Sequence, residues 1–502
     1  MPARTRRHSS IPSLLVLAAL HTTALGQAND LTDDVRRLIA SHKFGEARVS
    51  VSVVDARSGA ALAAVRAEEA LIPASNMKLL TSGAALMILG PEFAFKSELV
   101  LDGDRLVFRG SGDPSLADPD LLERMDPRLT VGDMVSTIAA GATKAGVSGV
   151  RELVIDDRVF DRTFVHPKWP ADQLSRGYCA EVGGLNFHAN VLHVFPSPGP
   201  QGVGSVAAYS LQPAAAWLRI DVRARTVGQG NNSVWLTRED DGDRFTLRGE
   251  VRHKSLAPVE VTIHDPPMFA GRMLAEELGK AGIGFPAGAV RLVSAEEAAT
   301  EGRVLAVVST PIAEVLKRCN TDSANLYAEC LLKRIGHDVT GEPGSWANGA
   351  AVLRMTLTER LGAGAAATTV VSDGSGMSRD NAVSPQTLTR WLEAISRDKK
   401  IARTFRDSLA GTGEGTLRKR FQGVKLKNEL RAKSGYINGV RTLSGYLTNE
   451  DTGRTVVFSV MVNNIKTDEQ HRDALQLHEQ VVQAADRWLG QRAAAERPAV
   501  GG

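Results

Sequence analysis

The 502-residue sequence has little cysteine and few aromatic residues, with three Cys and 5% Phe, Trp and Tyr. Neither sign of charge dominates, because 60 Lys and Arg residues face 57 Asp and Glu residues and the net charge is +3. A chain of this length with 43% hydrophobic residues can bury two or more cores. These values exclude a disordered chain, a small disulfide scaffold and a basic nucleic-acid-binding protein.

The three cysteines, Cys179, Cys319 and Cys330, are too few for a disulfide framework. The apolar spacing predicts one helix over about Pro311–Ile335, which would carry both Cys319 and Cys330. Eleven residues of helix separate these two by about 16 Å, which a disulfide cannot bridge. We therefore expect free, largely buried thiols.

Long apolar runs are also scarce. A basic start, the apolar stretch Ile11–Leu20 and the small residues of Ala24–Gly26 predict a signal peptide over residues 1–26, with cleavage near Gln27. The apolar stretch is about half of the roughly 20 residues that a transmembrane helix needs, although an uncleaved anchor stays an alternative. We therefore expect a periplasmic or otherwise exported chain with no transmembrane anchor, and peripheral association with membrane or wall stays open.

Metal and hydrolase signatures are missing as well. His478–Val482 begins like the zinc motif His-Glu-x-x-His but ends in valine, so we interpret it as a surface helix and expect no metal. The chain has no Gly-x-Ser-x-Gly elbow, which disfavours an α/β-hydrolase. No other cofactor is expected.

The patterns along the chain predict an α+β protein. A hairpin that begins with Arg48–Asp55 and a helix at Ser75–Leu89 precede short β-like segments with turn signals over Phe93–Pro258. Helical spacing dominates from Met268 to Arg397, strands then return, and a last helix is predicted at Glu469–Gln491. Strands near both ends of the chain indicate one domain closed by its termini, with the middle of the chain inserted.

Three short motifs occur in order along the chain, at Ser75–Lys78, Ser323–Asn325 and Lys433–Gly435. They match the Ser-x-x-Lys, Ser-x-Asn and Lys-[Ser/Thr]-Gly set of serine penicillin-binding enzymes. A second Ser-x-x-Lys at Ser396–Lys399 follows the Ser-x-Asn and lies at a charged helix end, so it has the wrong order and context. The three motifs together are therefore a specific signal.

The spacing of the first motif explains its chemistry. Pro73 precedes a helix start and places Ser75 at the N-terminus, where free N–H groups favour developing negative charge. Lys78 lies three residues further on, on the same face and within reach of the Ser75 hydroxyl. If burial and neighbouring cations lower its pKa, Lys78 can act as the base for the nucleophile Ser75. Ser323 then passes the proton to the leaving amine, and Asn325 hydrogen-bonds the substrate amide.

The third motif is predicted at the end of a strand. There Lys433 supplies positive charge, Ser434 donates to a substrate carboxylate, and the strand edge pairs with an extended peptide. Gly435 and Tyr436 continue this strand and are expected to contact the substrate.

The sequence resembles the three-domain low-molecular-mass penicillin-binding proteins, which are D-alanyl-D-alanine carboxypeptidases and endopeptidases of peptidoglycan. The resemblance covers almost the whole chain after the predicted signal peptide. It rests on the segments Pro73–Lys78, Gly110–Pro114, Asn320–Glu329, Ser372–Asn381, Gly413–Leu417 and Ala432–Gly435. It implies peptidoglycan stem peptides as substrates and β-lactam antibiotics as covalent inhibitors.

The resemblance also implies the fold. It is a penicillin-binding/β-lactamase-like transpeptidase domain, an antiparallel five-stranded sheet with a helical cluster, carrying mostly β inserted domains between the first two motifs. About 250 residues separate Ser75 and Ser323, which exceeds a typical domain of about 100 to 150 residues and requires an insert. We predict a catalytic domain of residues 27–92 and 292–492, a β-rich insert of two small domains at residues 93–291, and a flexible tail at residues 493–502.

The sequence departs from the resembling family on the third motif. Ser434 stands where Thr is commoner, and Tyr436 stands where a small hydroxyl residue is usual. Ser434 keeps the hydroxyl, whereas Tyr436 narrows that side of the cleft. The family forms its oxyanion hole from the N–H of the nucleophile and of the residue after the third motif, which here are Ser75 and Tyr436.

Two further residues are implied to bind the stem peptide. Diaminopimelate carries an ammonium and a carboxylate, so its pocket needs an acid and a base. Asp156, after the strand segment 153–155, resembles the acidic residue that the family's insert points at the active site, with Asp157 as the alternative match. Arg379 resembles the basic partner. The competing interpretation is a turn acid and a surface arginine.

Two other functions stay open. A β-lactamase shares the three motifs, but the Glu-x-x-Leu-Asn pattern that one large class uses for deacylation is absent between Asn325 and Lys433. A catalytically silent wall-binding protein would not need Ser75 and Lys78 together. Cleavage of D-Ala-D-Ala termini, of D-Ala–diaminopimelate cross-links, or of both is therefore the leading prediction, and the balance between them stays open.

Overall fold

The computed structural model describes residues 31–239, 242–286 and 288–496. The helices are α1 (31–40), α2 (Met77–Leu89), α3 (Pro119–Glu123), α4 (Val131–Lys144), α5 (Pro266–Lys280), α6 (Ile312–Asn320), α7 (Asn325–Thr340), α8 (Trp346–Leu361), α9 (Ala363–Ala367), α10 (Pro385–Arg397), α11 (Ala402–Asp407) and α12 (Asp468–Glu496). Short 3₁₀ turns lie at Ala74–Asn76, Ala171–Gln173, Gly177–Cys179, His188–Asn190 and Gly415–Leu417.

The strands are β1 (Arg48–Asp55), β2 (Ala61–Val65), β3 (Ala94–Asp102), β4 (Arg105–Arg109), β5 (Glu152–Asp156), β6 (Val191–Ser197), β7 (Ala208–Gln212), β8 (Ile220–Val222), β9 (Arg225–Thr226), β10 (Ser233–Arg238), β11 (Phe245–Val251), β12 (Val259–Thr262), β13 (Val290–Leu292), β14 (Arg303–Pro311), β15 (Glu429–Ile437), β16 (Val440–Thr448) and β17 (Thr455–Asn463).

An antiparallel sheet of five strands joins the two ends of the chain in the order β15-β16-β17-β1-β2. Its central strands are rich in β-branched residues and buried on both faces, as a sheet covered by helices requires. One face packs in a cluster with α1 and α12, and the other packs against α10 and the helices around it. The structure confirms the predicted α+β fold with its five-stranded sheet and helical cluster.

The helical cluster holds α2 almost entirely out of solvent. Ten residues of α2 are buried, and the fully buried Trp391 of α10 lies against Gly83 and donates its indole N–H to the Leu79 carbonyl. A helix buried on all sides has little freedom to shift. The start of α2 is therefore a rigid platform beside the edge strand β15.

Residues between α2 and α6 form separate sheets. A second five-stranded sheet has the order β13-β5-β4-β3-β14 and mixes parallel with antiparallel pairs, and two smaller sheets contain β6–β12. The helices α4 and α5 share one hydrophobic cluster with these sheets. The end of the insert predicted at residue 291 needs correction, because β14 pairs with β3 as far as Pro311. Periodicity alone does not reveal which sheet a strand joins.

The single helix predicted over Pro311–Ile335 is wrong. The structure has two helices, α6 and α7, separated at residues 321–324, where Ser323 adopts a left-handed backbone with φ of +66°. Apolar residues continue at helical spacing on both sides, so the pattern hides the break. The prediction for the cysteines is nevertheless confirmed, because Cys179, Cys319 and Cys330 are free and buried.

Several expectations concern the chain ends. The predicted signal peptide and its cleavage site lie outside the described residues. Of the tail predicted at residues 493–502, residues 493–496 continue α12.

His478 is fully buried within α12, so the interpretation of its segment as a surface helix is wrong. Among the described residues no helix combines the length and apolarity of a membrane span, and no cluster of His, Cys, Asp or Glu is arranged for a metal ion.

Candidate active site

The 3₁₀ turn Ala74–Asn76 presents Ser75 at the entrance to α2. Two contacts fix this turn: the Thr442 hydroxyl on β16 donates to the Pro73 carbonyl at 2.9 Å, and Gly376 packs directly against Ala74. A Cβ on Gly376 would lie 1.8 Å from the Ala74 carbonyl oxygen, and its φ of +85° also requires glycine. The nucleophile expected from the first motif is thus held between the sheet and the 372–381 loop.

Lys78 lies directly beneath Ser75. Its Nζ is 3.2 Å from Ser75 Oγ, 2.7 Å from Asn325 Oδ1 and 2.9 Å from the Ser375 carbonyl oxygen. The last two atoms can only accept, whereas the hydroxyl can donate. An ammonium can donate to all three atoms, whereas a neutral amine donates to the Asn325 and Ser375 oxygens and accepts a hydrogen bond from the Ser75 hydroxyl. Complete burial lowers the pKa of Lys78, against the raising effects of Cys319, Glu329 and Asp373.

A buried carboxylate supports the Ser375 carbonyl. Glu329 accepts hydrogen bonds from the N–H groups of Gly374 at 2.8 Å and Ser375 at 2.9 Å, and from the Trp346 indole at 2.8 Å. Burial, followed by the charge of Asp373, raises the pKa of Glu329 to about 7. Sequence reasoning gave Glu329 and Ser375 no role, although both lie in segments that carry the family resemblance.

The second and third motifs meet on the other side of Ser75. Lys433 Nζ donates to Ser323 Oγ at 2.8 Å and to the Ser434 carbonyl at 2.9 Å. Burial, followed by the charge of Lys78, lowers the pKa of Lys433 well below its usual value. Because two buried ammonium groups in one site repel each other, a neutral Lys78 favours a protonated Lys433. The pair can therefore divide the roles of base and cation as expected from the motifs.

Asn325 connects this site to the insert. Its Oδ1 accepts from Lys78, and its Nδ2 donates to the Tyr178 carbonyl at 2.8 Å. The amide has two N–H groups, and its nitrogen otherwise approaches the Met377 sulfur at 3.8 Å. The contact with sulfur is long and weak, so a substrate amide, the partner that the sequence assigned to Asn325, can replace it.

The edge strand β15 presents polar backbone groups to the nucleophile. Ile437 pairs with Val440 across a two-residue turn, so Ser434 and Tyr436 occupy positions whose backbone groups point away from β16. The same alternation predicts that the backbone groups of Ala432 also point away from β16. The structure agrees, because the Ala432 N–H donates to the Ala410 carbonyl at 2.9 Å. A Cβ on Gly435 would lie 3.0 Å from the Ser75 nitrogen, so glycine lets the strand approach the predicted oxyanion hole.

A cavity of about 730 Å³ opens above these groups, and Ser75 lines it. The insert contributes Tyr178 and Lys168 to its wall, and Tyr436 is 56% exposed at the opposite side. Arg379 stands at the rim, where it donates to the Asn438 carbonyl at 2.8 Å. The structure therefore places Arg379 at the cleft, as expected of a residue that binds substrate.

The structure does not bring Asp156 to this cleft. Asp156 lies in another cavity, where it forms an ion pair with Arg158 at 2.7 Å. That cavity also includes His337, twelve residues along α7 from Asn325, which corresponds to about 18 Å. The alternative match, Asp157, is buried in an ion pair with Arg162. The prediction for Asp156 needs correction, because a strand position gives the local direction of a side chain but not how the sheet docks.

Comparison with known proteins identifies the family to which the chain belongs. A model of the D-Ala-D-Ala carboxypeptidase 3 (S13) family matches residues 31–487. The D-alanyl-D-alanine carboxypeptidase of Actinomadura sp. (strain R39) is 31% identical over 464 residues, which cover 89% of this chain and 83% of the relative. The chain belongs to the D-Ala-D-Ala carboxypeptidase 3 (S13) family. The family and the serine-peptidase class implied by the motifs are confirmed.

This S13-family chain also shares its fold with two crystal structures of penicillin binding protein 4 (dacB) from Haemophilus influenzae. The first has a TM-score of 0.71 at 20% identity and covers 90% of this chain and 99% of that one. The second, complexed with a novel β-lactam, has a TM-score of 0.67 at 19% identity and covers 90% of this chain and 98% of that one. At these identities the likeness establishes the fold.

Proposed function

We propose that Ser75 is the acylated nucleophile of a peptidoglycan DD-peptidase, acting on D-Ala-D-Ala termini, on D-Ala–diaminopimelate cross-links, or on both. The observation that carries this proposal is the set of partners around Lys78 Nζ, two pure acceptors and the Ser75 hydroxyl at 3.2 Å. Burial lowers the pKa of Lys78, and an amine that has lost its proton can donate to these two acceptors and receive the serine proton. The neighbouring Ser323 and Lys433 supply a separate path for the second proton transfer.

Acylation follows from these positions. Lys78 takes the Ser75 proton while Ser75 Oγ bonds to the carbonyl carbon of the penultimate D-Ala, and the carbonyl oxygen becomes an oxyanion facing the N–H groups of Ser75 and Tyr436. The C–N bond then breaks, and the leaving amine takes a proton from the Ser323 hydroxyl, which regains one from Lys433 Nζ 2.8 Å away. The proton that Lys78 took from Ser75 then replaces the one lost by Lys433, so both lysines return to their starting states. Water later hydrolyses the ester and restores the Ser75 hydroxyl.

The substrate backbone lies along β15. The outward backbone groups of Ser434 and Tyr436 pair with an extended stem peptide, and the Ser434 hydroxyl binds the terminal carboxylate. Arg379 at the rim presents a guanidinium to a carboxylate further along the stem peptide. This arrangement gives the cleft a preference for anionic substrates.

β-Lactams are proposed to inhibit the chain by the same acylation, because their strained amide presents a carbonyl carbon and a carboxylate at comparable spacing. The β-lactam complex of the similar Haemophilus protein supports this proposal. A β-lactamase would instead release the acyl group rapidly, so nitrocefin turnover by the purified protein distinguishes the two. We also propose export to the periplasm, based on the basic, apolar and small-residue segments of residues 1–26.

Labelling with fluorescent penicillin tests the nucleophile. Ser75→Ala should abolish covalent labelling while circular dichroism and the melting temperature stay near those of the wild type. Ser396→Ala is the matched control, because Ser396 heads the second Ser-x-x-Lys of the chain but lies on α10, and it should label normally. Labelling retained in Ser75→Ala, or absent from the wild type, contradicts the proposal.

Incubation of the wild type with purified muropeptides, followed by mass spectrometry, tests the substrate. Loss of one terminal D-Ala indicates carboxypeptidase activity, and conversion of dimers to monomers indicates endopeptidase activity. If neither product forms, the proposed DD-peptidase function is contradicted and a silent wall-binding protein is favoured.

A further inference from the structure

Asp118, a carboxylate of the insert, contacts the two helices on either side of Ser323. Asp118 immediately precedes α3, and its side chain is 1% exposed. Its Oδ1 accepts from the Asp120 N–H at 2.9 Å within the insert. Its Oδ2 accepts from Arg318 Nε at 3.1 Å and Nη2 at 2.9 Å, and from the Tyr327 hydroxyl. The two oxygens of Asp118 thus bind two different parts of the fold.

The partners of Asp118 flank the break that contains Ser323. Arg318 lies in α6 before the break, and Tyr327 lies in α7 after it. Arg318 also holds the break itself, because its Nη1 donates to Asp322 at 2.8 Å and its carbonyl accepts from the Ala324 N–H at 3.2 Å. Asp118 therefore joins both helices and, through Arg318, the residues on either side of Ser323.

Ser323 needs such support because its backbone is strained. A φ of +66° is disfavoured for serine and persists only where neighbouring groups impose it. The strained conformation directs Ser323 Oγ to Lys433 Nζ at 2.8 Å. A small rotation of residues 321–324 would break this contact, and a hydroxyl displaced by about 1 Å transfers a proton much more slowly.

We propose that Asp118 is a positioning residue for Ser323, so that the insert takes part in catalysis by holding the second motif in its strained conformation. Without the Asp118 charge, Arg318 has two acidic partners left. One is Asp120, 3.1 Å away with a side chain that is 60% exposed, and the other is Asp322, 2.8 Å away. Movement of the guanidinium toward either residue shifts the segment that carries Ser323. The inference rests on the proposed function, in which Ser323 relays a proton.

Steady-state kinetics on a D-Ala-D-Ala-terminated peptide tests this inference, with two variants and a matched control. Asp118→Asn keeps the shape and removes the charge, and Tyr327→Phe removes only the hydroxyl that Asp118 binds. Asp157→Asn is the control, because Asp157 is also 1% exposed and also binds one arginine, Arg162, through two nitrogens, but both partners belong to the insert.

We expect kcat to fall at least tenfold in Asp118→Asn and at least threefold in Tyr327→Phe, with KM within twofold of the wild type. Asp157→Asn should keep kcat within twofold even if its melting temperature falls as much as that of Asp118→Asn. All rates are compared at a temperature at which every variant is folded by circular dichroism.

Two outcomes would overturn the inference: wild-type kcat in both Asp118→Asn and Tyr327→Phe, or an equal loss of kcat in Asp157→Asn. The first shows that the contact does not position Ser323, and the second shows a general effect of weakening the insert. Failure of the proposed function is distinct, because it appears as penicillin labelling in Ser75→Ala or as no peptide cleavage by the wild type.

Discussion

The catalytic domain and the insert contribute different kinds of residue to the same cleft. Lys78 and Lys433 of the catalytic domain are completely buried beneath the nucleophile. Lys168 and Tyr178 of the insert are 64% and 51% exposed at the cleft wall. Proton transfer needs amines whose pKa values are lowered by burial, whereas recognition of a long polymer needs side chains that the polymer can reach.

The comparison predicts that substitutions at the buried side change the rate of acylation and that substitutions at the rim change which substrate is preferred. This distinction between buried and rim residues is wrong if a rim variant slows acylation by penicillin as much as a variant of a buried lysine does.

Replacement of Lys78 should have the largest effect. Lys78→Ala removes the base, so the Ser75 hydroxyl stays protonated at neutral pH, and we expect acylation to slow by about 10³- to 10⁴-fold, or about 4 to 5 kcal/mol. Stopped-flow or gel-based labelling with fluorescent penicillin measures this rate. Lys399→Ala, which replaces the exposed lysine of the second Ser-x-x-Lys, should label at the wild-type rate. An effect below tenfold for Lys78→Ala would show that another group is the base.

The pH dependence of acylation should separate the two buried lysines. Burial lowers the pKa of Lys78, and the base acts when it has lost its proton, so the rate should rise with pH through a pKa below the usual value of about 10.4. Burial, followed by the charge of Lys78, lowers the pKa of Lys433 well below its usual value. Because the effect of Lys78 disappears once Lys78 is neutral, Lys433 then keeps its proton to higher pH, and the rate should fall when that proton is lost. A rate that is constant between about pH 5 and pH 10 would contradict both assignments.

Gly435→Ala should have an intermediate effect. The new Cβ would lie 2.2 Å from the Thr442 hydroxyl and 3.0 Å from the Ser75 nitrogen, so β15 must move away from the oxyanion hole. We expect about a 10- to 100-fold slower acylation with the fold retained. Gly279→Ala in α5 of the insert is the control, because no atom lies within 4 Å of its added Cβ. Equal rates in both variants would show that close approach at Gly435 is unimportant.

Arg379→Ala should alter substrate preference rather than chemistry. We expect kcat/KM to fall about tenfold on a diaminopimelate-containing peptide and to stay within twofold on the same peptide with Ala at that position. Asp156→Asn, outside the cleft, should match the wild type on both peptides. An equal loss on both peptides in Arg379→Ala would show that Arg379 does not bind the diaminopimelate side chain.

Tyr436→Ala should have the smallest effect on acylation. The proposed contribution of Tyr436 is its backbone N–H, which alanine keeps, so penicillin labelling should stay within about threefold of the wild type. The ring packs over Arg441, with 3.8 Å between the guanidinium carbon and the ring centre, and its loss widens the cleft. Peptide KM measured with stems of different length should report that change, and a hundredfold slower labelling would mean that the side chain itself takes part.

Local spacing made much of the chemistry predictable. Ser75 and Lys78 are one helical turn apart, so any helix that starts at Ser75 brings them together, and the structure does so. Ser323, Asn325 and Lys433 were assigned because their short motifs belong to one known chemical set. Arg379 followed from the resemblance of its loop, and the structure places it at the cleft.

Other features depend on contacts between distant parts of the chain. The break between α6 and α7 is held by Asp118, about 200 residues earlier, and helical periodicity cannot anticipate it. The supporting role of Glu329 depends on the 372–381 loop lying beneath α2. Asp156 was misplaced because nothing in its strand indicates how the insert's sheet docks on the catalytic domain.

The sequence by itself predicted the reacting groups, through three short motifs and the family resemblance, and it determined the α+β class of the fold, which depends on interactions within a few residues: helical spacing, turn residues and alternation of apolar side chains. Only the tertiary structure decided which side chains share the cleft, which lysines are buried enough for lowered pKa values, and where the insert supports the second motif. Those properties arise from desolvation and packing between segments hundreds of residues apart, and no local pattern in the sequence specifies them.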